Sequence, residues 1–287
     1  MKIIDILNQD KITVSFEVFP PKKQEGMQNV LEASEAIAKL KPDFMSVTYG
    51  AGGSTSKLTV EVATALMEKE GVTVLPHLTC VSADRNKIHD QLRLMQESGL
   101  ENVMALRGDL PQEGEPLKDY IHAIDLIRDI RATCPDLCIG AACYPEGHVE
   151  SPSRKMDLRY LKEKVDAGVD FLTTQMFFDN DIFYNFLYRA REAGITVPIL
   201  AGIMPITNPK QLRRSIELSG TLVPESFKAI VDRFADSPQA MTQAGILYAS
   251  TQIIDLIANN VRHIHVYSMN KPEVAAGILS NLSEILK

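Results

Sequence analysis

One short segment of the chain places a carboxyl group where it could take part in acid–base chemistry. Residues 15–21 read SFEVFPP. Side chains along a β-strand alternate between its two faces, so Glu17 shares a face with Thr13 and Ser15, away from the apolar residues between them. The diproline cannot continue a strand ladder, which puts Glu17 near the end of the strand. Burying a carboxylate there is costly without a function; the alternative is a structural ion pair with a nearby lysine.

Two further segments combine polar side chains with glycine. Residues 48–54 read TYGAGGS, and backbone amides in such a turn can hold an anionic group ahead of a helix, although many glycine turns serve geometry alone. Residues 106–111 read LRGDLP. Arg107 is suited to binding a phosphate and Asp109 to accepting hydrogen bonds from N–H groups. The alternative is a surface ion pair between these two side chains.

The histidines and cysteines do not form a metal-binding pattern. No two histidines have the H-E-x-x-H spacing, and Cys134, Cys138 and Cys143 have a C-x3-C-x4-C spacing that is not a zinc motif. We therefore predict no catalytic metal and interpret the cysteines as small buried thiols. His263 and His265 are interpreted as interior packing or rim polarity. Nucleophile-elbow and P-loop motifs are also absent from the sequence, which disfavours hydrolase and phosphoryl-transfer functions.

The elements that must position these residues alternate along the chain. Short β-branched or apolar runs typical of strands lie near residues 12–19, 43–49, 72–79, 102–106, 138–143, 170–176, 198–203 and 263–267. Stretches with helical spacing lie near 28–40, 57–70, 86–98, 118–131, 157–167, 180–193, 208–217, 241–259 and 272–286. Eight strands alternating with helices predict an α/β fold, a (β/α)8 or TIM barrel forming a single domain over residues 1–287. An open doubly wound sheet is disfavoured because the first strand ends in Pro20-Pro21 rather than in a G-x-G-x-x-G turn.

Strand parity gathers polar groups at one rim of the predicted barrel. Active sites of such barrels form at the carboxyl ends of the strands. The polar residues that parity or position assigns to this rim, besides Glu17, are Ser46, Thr48, His77, Thr79, Arg107, Asp109, Thr173 and Gln175.

Composition narrows the class of partner. The chain has 287 residues and a formal net charge of −7, which argues against a nucleic-acid-binding surface. No apolar run reaches the roughly 18 residues of a membrane span, and the amino terminus lacks a signal-peptide core. We therefore expect a cytoplasmic protein that acts on a small molecule, with neither a nucleic acid nor a membrane as partner.

The motifs taken together resemble those of the methylenetetrahydrofolate reductase family. They run from Ser15 to Lys271 and read SFEVFPP, VTYGAGGST, PHLTC, LRGDLP, YPEGH, KVDAGVDFLTTQMFF, GIMPITN and HVYSMNK. The resemblance is to bacterial-type members, of which the chain would be the catalytic barrel. It implies noncovalent FAD and reduction of 5,10-methylenetetrahydrofolate to 5-methyltetrahydrofolate, with NADH or NADPH reducing the flavin in a ping-pong cycle.

The same resemblance implies roles for individual residues. Glu17 matches the general acid, which protonates N10 of the substrate so that the imidazolidine ring opens. Asp109 matches a residue near both flavin and pterin that orients the pterin and tunes the flavin. The implied flavin positions are Thr48, Tyr49, Ala51, His77, Arg107, Gly108, Asp109, Tyr144, His148, Asp157 and Lys164. The implied substrate positions are Gln175, shared with the nicotinamide, and Gln211 and Lys271, which contact folate.

Some of these positions have other interpretations. Asp157 and Lys164 lie seven residues apart on one predicted helix and could form a solvated face. Lys271 stands where some relatives carry arginine, so it offers a point charge rather than a bidentate fork. Ser215 stands where some relatives carry an aromatic residue that stacks on folate, and we leave it outside the site.

Three alternatives to a self-sufficient reductase remain open. The electrons could come from a partner subunit instead of NADH, and such a partner would carry the iron–sulfur ligands that this chain lacks. The chain could be a flavin- or pterin-binding subunit without catalysis, although binding alone does not require a buried acid at Glu17. A lyase or aldolase would need a Schiff-base lysine, for which Lys271 is the candidate. Because relatives are commonly homo-oligomers, we expect a homo-oligomer.

Overall fold

The structure, a computed structural model, describes residues 1–49, 56–81, 83–110 and 119–287. Eight parallel strands pair in chain order and close into a barrel, as predicted. They are β1 Thr13–Val18, β2 Phe44–Val47, β3 Val74–Thr79, β4 Asn102–Leu106, β5 Cys138–Cys143, β6 Phe171–Thr174, β7 Ile199–Ile203 and β8 His263–Tyr267.

Helices surround the barrel. In chain order they are α1 Ile3–Leu7, α2 Met27–Ala38, α3 Ser56–Glu70, α4 Arg85–Glu97, α5 Ala123–Thr133, α6 Arg154–Asp166, α7 Asn180–Glu192, α8 Pro209–Ser219, α9 Glu225–Phe234, α10 Pro238–Ala258 and α11 Pro272–Asn281. The nine predicted helices are present, with shifted ends. None of those in the described ranges is long and apolar enough to span a membrane.

Two helices of this structure, α1 and α9, lie outside the sequence prediction. Helix α1 has five residues, too few for a helical period to show. Ile3 and Leu7 of this helix pack with the interior of the barrel, and the backbone N–H of Ile3 donates to Asn102 Oδ1 at 2.7 Å. Helix α1 therefore closes the amino-terminal end of the barrel. Helix α9 buries Phe227 and Val231 in a small apolar cluster beside α10.

Strand parity sorts the core into two parts. The inward-facing apolar residues form one cluster at the amino-terminal half of the barrel: Phe44, Leu75, Met104, Cys138, Phe171 and Leu200. Val14, Phe16 and Val18 of β1 instead belong to the larger cluster between barrel and helices. The predicted faces of β1 are thus confirmed. The apolar filling leaves the carboxyl half of the interior to polar side chains.

Close backbone contact fixes the position of α10 against the loop after β7. A Cβ atom added to Gly245 of α10 would lie 1.8 Å from the backbone oxygen of Ile206. A Cβ atom added to Gly277 of α11 would instead meet the end of the Ile246 side chain at 3.0 Å, and that side chain can move. Of these two glycines, only Gly245 is required by packing.

We expect Gly245→Ala to lower the free energy of unfolding by about 1–3 kcal/mol, the usual cost of overpacking. Gly277→Ala is the control, and we expect it to be neutral or stabilising by up to about 1 kcal/mol, since alanine favours helix. Urea denaturation of both variants checks this expectation. Equal effects of the two substitutions would contradict the packing assigned to Gly245.

Candidate active site

A cavity of about 270 Å³ opens at the carboxyl end of the barrel. Its lining comes from several strands, because parallel strands all end at this rim. The polar or ionisable residues among the lining are Glu17, Thr48, His77, Tyr144, Thr173, Thr174, Gln175, His265 and Tyr267. The rim predicted from strand parity is therefore confirmed for Glu17, Thr48, His77, Thr173 and Gln175.

Glu17 lies between two imidazole rings at this cavity. Its Oε2 is 3.7 Å from Nε2 of His77 and 3.8 Å from Nε2 of His265. The Glu17 side chain keeps 16% of its surface exposed, whereas that of His265 keeps 2%. In the described part of the chain no lysine or arginine forms an ion pair with Glu17, so the alternative of a structural lysine pair is not observed. The carboxyl group can therefore reach a molecule bound in the cavity.

Hydrogen bonds fix the orientation of His265 beneath the carboxyl group. Its Nδ1 lies 2.8 Å from Ser15 Oγ, and its Nε2 lies 3.3 Å from Ser46 Oγ. The strand register accounts for this, since Ser15 pairs with His265 and Glu17 with Tyr267. The interpretation of His265 as interior packing or rim polarity agrees with its place in the cavity lining but did not include its contact with Glu17. Applying parity to β8 as well as to β1 would have placed it there.

His77 is a neutral imidazole near neutral pH. Burial lowers the pKa of His77 to about 4, and nearby His265 adds to this effect while Glu17 opposes it. A neutral imidazole can either donate or accept a hydrogen bond without bringing a charge into the cavity. At neutral pH His77 therefore faces Glu17 as a neutral ring and not as a cation.

A second cavity, of about 480 Å³, adjoins the first above strands β4 and β5. The two share Leu106, Ala142 and Tyr144 in their linings. The larger cavity brings together five residues that the resemblance assigns to flavin: Arg107, Tyr144, His148, Asp157 and Lys164. Thr48 and His77 line the smaller cavity instead. The implied flavin positions thus extend over two neighbouring cavities that share part of their lining.

Arg107 does not pair with Asp109. Its two terminal nitrogens donate to the Glu150 carboxylate at 2.6 and 2.7 Å, and its Nε donates to the Gly108 backbone oxygen at 3.2 Å. Gly108 has a φ of +88°, and an added Cβ would lie 3.0 Å from the Thr79 side chain, so glycine is required there. Asp109 follows with an exposed side chain. Glu150 was not among the predicted site residues, because it lies 43 residues from its partner in the sequence.

Asp157 and Lys164 face the larger cavity and do not form a solvated helical face. Lys164 Nζ donates to the Ala142 backbone oxygen at 2.7 Å, and burial lowers the pKa of this lysine, while Cys143 and Asp157 oppose the shift. Asp157 Oδ1 accepts a hydrogen bond from Ser151 Oγ at 2.8 Å. The alternative interpretation from the sequence is therefore wrong for both residues.

Two aromatic rings meet where the cavities join. The rings of Tyr144 and His148 are 4.7 Å apart and nearly perpendicular. Burial raises the pKa of Tyr144 to about 12 and lowers the pKa of His148. Tyr144 therefore keeps its hydroxyl proton at neutral pH, and its hydroxyl group can donate a hydrogen bond to a bound ligand.

Gln211 and Lys271, the predicted folate contacts, meet at one threonine. Gln211 Oε1 accepts from the backbone N–H of Thr207 at 3.0 Å, and Lys271 Nζ donates to Thr207 Oγ1 at 2.7 Å. Neither side chain lines the two cavities described above. Thr207 was not among the predicted site residues, although it lies in the GIMPITN motif just before α8. Ser215 is buried on α8, in keeping with leaving it outside the site.

The remaining predicted positions have simpler outcomes. Tyr49 lies just after β2, half buried against the core, and Ala51 lies outside the described residues. The four cysteines are free and buried, as expected. Within the described ranges no cluster of three or more histidine, cysteine or acidic side chains is placed to hold a metal ion.

Comparison with known proteins identifies related sequences over almost the whole chain. A family model described as methylenetetrahydrofolate reductase matches residues 2–283. Methylenetetrahydrofolate reductase (NADH) 1 of Zea mays is 37% identical over 99% of this chain and 50% of its own length. The 5,10-methylenetetrahydrofolate reductases of Pectobacterium carotovorum subsp. carotovorum and Escherichia coli (strain K12) are 35% and 34% identical, each over 96% of this chain and over 91% and 92% of their own lengths. The chain thus spans about half the length of the plant relative.

Solved structures also resemble the barrel. An uncharacterized protein from Clostridium thermocellum, described as binding two copies of 5-methyl-5,6,7,8-tetrahydrofolic acid, has a TM-score of 0.70. It is 16% identical, and the match covers 99% of each chain. At this level of identity the likeness shows the fold alone.

The neutral state of His77 makes stability depend on pH. Its pKa of about 4 lies below the ordinary 6.5, so between these values the unfolded chain binds more protons than the folded chain, and stability falls as the pH drops. We expect His77→Gln to remove up to about 3 kcal/mol of this acid destabilisation. Urea denaturation at several pH values between 7 and 4 measures it.

His263→Gln is the matched comparison. Burial also lowers the pKa of His263 to about 4, at the opposite end of the barrel, so this variant should likewise show a shallower pH dependence. Parallel pH profiles for wild type and His77→Gln would contradict the buried neutral state of His77.

Proposed function

The chain belongs to the methylenetetrahydrofolate reductase family, and from that premise we propose that it reduces 5,10-methylenetetrahydrofolate to 5-methyltetrahydrofolate. The proposal includes bound FAD and electrons from NADH or NADPH in a ping-pong cycle, within one barrel domain of residues 1–287. One observation carries it: a partly exposed carboxyl group, Glu17, lies between two imidazoles in a cavity that adjoins a larger, ligand-sized cavity.

The residues of the larger cavity fit a flavin dinucleotide. Arg107 and Lys164 supply cationic donors for phosphate or ring oxygens, and Tyr144 and His148 supply flat rings beside the junction of the two cavities. A volume of about 480 Å³ lies within the usual range for a ligand site. When bound, FAD would accept electrons from NADH or NADPH and deliver hydride to the one-carbon unit of the folate.

Glu17 performs the proton chemistry in this proposal. The substrate's five-membered ring opens when N10 is protonated, and Glu17 donates that proton and becomes a carboxylate. His265, held by Ser15 and Ser46, and neutral His77 keep the carboxyl group in place on two sides.

Other predicted residues bind and orient the substrate in this proposal. Asp109, exposed on the rim after β4, accepts hydrogen bonds from N–H groups of the pterin. Gln175 contacts folate and nicotinamide in turn from the wall of the smaller cavity. Lys271 and Gln211, joined through Thr207, hold the glutamate end of the folate, with lysine acting as a point charge.

The electron source has two candidates. Direct reduction by NADH or NADPH is the first, and delivery by a partner protein is the second. Rapid bleaching of the flavin when NADH is added to the isolated chain supports the first. A flavin that ignores NADH and NADPH but is reoxidised by methylenetetrahydrofolate after chemical reduction supports the second.

We expect Lys164→Met to weaken FAD binding by at least about tenfold, since it removes a charge-assisted donor from the cavity. Lys162→Met is the control on the same helix, because Lys162 pairs with Asp166 and does not line either cavity. Fluorescence titration of the apoprotein with FAD gives both affinities. The same affinity in the two variants would contradict the placement of the flavin.

We expect Glu17→Gln to slow reoxidation of the chemically reduced flavin by methylenetetrahydrofolate by at least about a hundredfold, the lower range for loss of a general acid. FAD content should be unchanged. Anaerobic stopped-flow absorbance measures the rate. Glu25→Gln, which alters an exposed carboxylate after the same strand, is the control and should match wild type. Undiminished reoxidation in Glu17→Gln would reject this residue as the acid.

A further inference from the structure

The turn that joins β8 to α11 has an unusual backbone. Its residues are Ser268, Met269, Asn270 and Lys271, and the backbone N–H of Lys271 donates to the Ser268 oxygen at 3.1 Å. Met269 and Asn270 have φ angles of 56° and 53°, in the left-handed region that residues other than glycine seldom adopt. Two consecutive residues in this region are held by contacts elsewhere, and those contacts are with the end of β1.

The Asn270 side chain binds both backbone groups of Phe19. Its Oδ1 accepts from the Phe19 N–H at 2.8 Å, and its Nδ2 donates to the Phe19 oxygen at 2.9 Å. Ser268 Oγ donates to the backbone oxygen of Glu17 at 2.7 Å. The turn therefore contacts the backbone of the proposed acid and the backbone two residues beyond it.

The sequence after Glu17 explains why these contacts matter. Strand pairing with β2 and β8 extends no further than Val18, and Pro20 and Pro21 have no N–H to donate. Phe19 is therefore the last residue before the two prolines whose backbone N–H can donate a hydrogen bond. That bond can anchor the chain where it leaves the barrel. Asn270 supplies the partner for that N–H.

The same turn also reaches the proposed folate contacts. Lys271 Nζ donates to Thr207 Oγ1, and Thr207 is bound by Gln211. One four-residue turn therefore fixes the end of the strand that carries Glu17 and provides one of the side chains at the glutamate end of the substrate. The separation between the acid and that end depends on this turn.

We propose that Asn270 is a positioning residue, which sets the place of Glu17 relative to the bound folate through its two hydrogen bonds to Phe19. The inference rests on the proposed reductase function and deepens it. Asn270 lines neither cavity, so it acts through its hydrogen bonds to the backbone of Phe19, two residues after Glu17. A small displacement of an acid from its proton acceptor is enough to slow a reaction strongly.

The test compares Asn270→Gly with Met269→Gly. Both variants place glycine at a left-handed position of the same turn, but only the first removes the bonds to Phe19. We expect Asn270→Gly to slow reoxidation of dithionite-reduced flavin by methylenetetrahydrofolate by at least about tenfold. Met269→Gly should stay within about twofold of wild type, since the Met269 side chain makes none of these hydrogen bonds.

Two further readouts separate positioning from general damage. Affinity for 5-methyltetrahydrofolate, measured by calorimetry, should change less than about threefold in Asn270→Gly, because the binding side chains remain. Asn270→Asp keeps the acceptor for the Phe19 N–H and loses the donor to its oxygen, so its rate should fall between the other two. If Asn270→Gly does not fold, Asn270→Asp and Ser268→Ala carry the test, and each should slow reoxidation.

The possible outcomes distinguish a failure of the positioning role from a failure of the proposed reductase function. Wild-type protein whose reduced flavin is not reoxidised by the folate would overturn the proposed function. If methylenetetrahydrofolate reoxidises the flavin of the wild-type protein and that of Asn270→Gly at the same rate, only the positioning role is overturned. Equal slowing in Asn270→Gly and Met269→Gly would also overturn it, because the backbone of the turn, not the amide, would then set the rate.

Discussion

A carboxyl group at the inner face of a strand end is the constraint on which the site depends. In the proposed reaction Glu17 must stay close to a bound substrate, and its neighbours must not hold it as an ionised carboxylate, as a paired lysine would. Two imidazoles at 3.7 and 3.8 Å meet that requirement, and burial keeps His77 neutral. Placing an imidazole beside Glu17 also requires polar groups deeper in the barrel. His265 is buried, so its two ring nitrogens need Ser15 and Ser46 as hydrogen-bond partners.

The barrel makes this arrangement possible by dividing its interior. Apolar side chains fill the amino-terminal half, and α1 closes that end. The apolar packing therefore lies at one end of the barrel and the candidate site at the other, which is the general division in such barrels. The two neighbouring cavities differ in their lining, with Glu17 and two imidazoles in the smaller and cationic and aromatic groups in the larger.

Much of the fold and part of the site follow from the sequence. Short β-branched or apolar runs predict the eight strands, and the alternation of side chains along them places Glu17, His77, Thr173 and Gln175 at one rim. The contacts of Arg107 with Glu150, of Lys271 with Thr207 and of Asn270 with Phe19 join residues 43, 64 and 251 positions apart. No local pattern reports such pairs, because they depend on how loops of different strands meet. Helix α1 was not predicted because it is short: five residues are too few to show a helical period.

The central claim is that this chain converts methylenetetrahydrofolate to methyltetrahydrofolate with a flavin bound at the barrel rim. The most direct measurement counts product: FAD-loaded protein is reduced chemically without oxygen, mixed with excess 5,10-methylenetetrahydrofolate, quenched and analysed by mass spectrometry. We expect about one 5-methyltetrahydrofolate per reduced flavin, as two-electron transfer requires. A protein that binds no FAD, or a reduced flavin that stays reduced and yields no methyltetrahydrofolate, would contradict it.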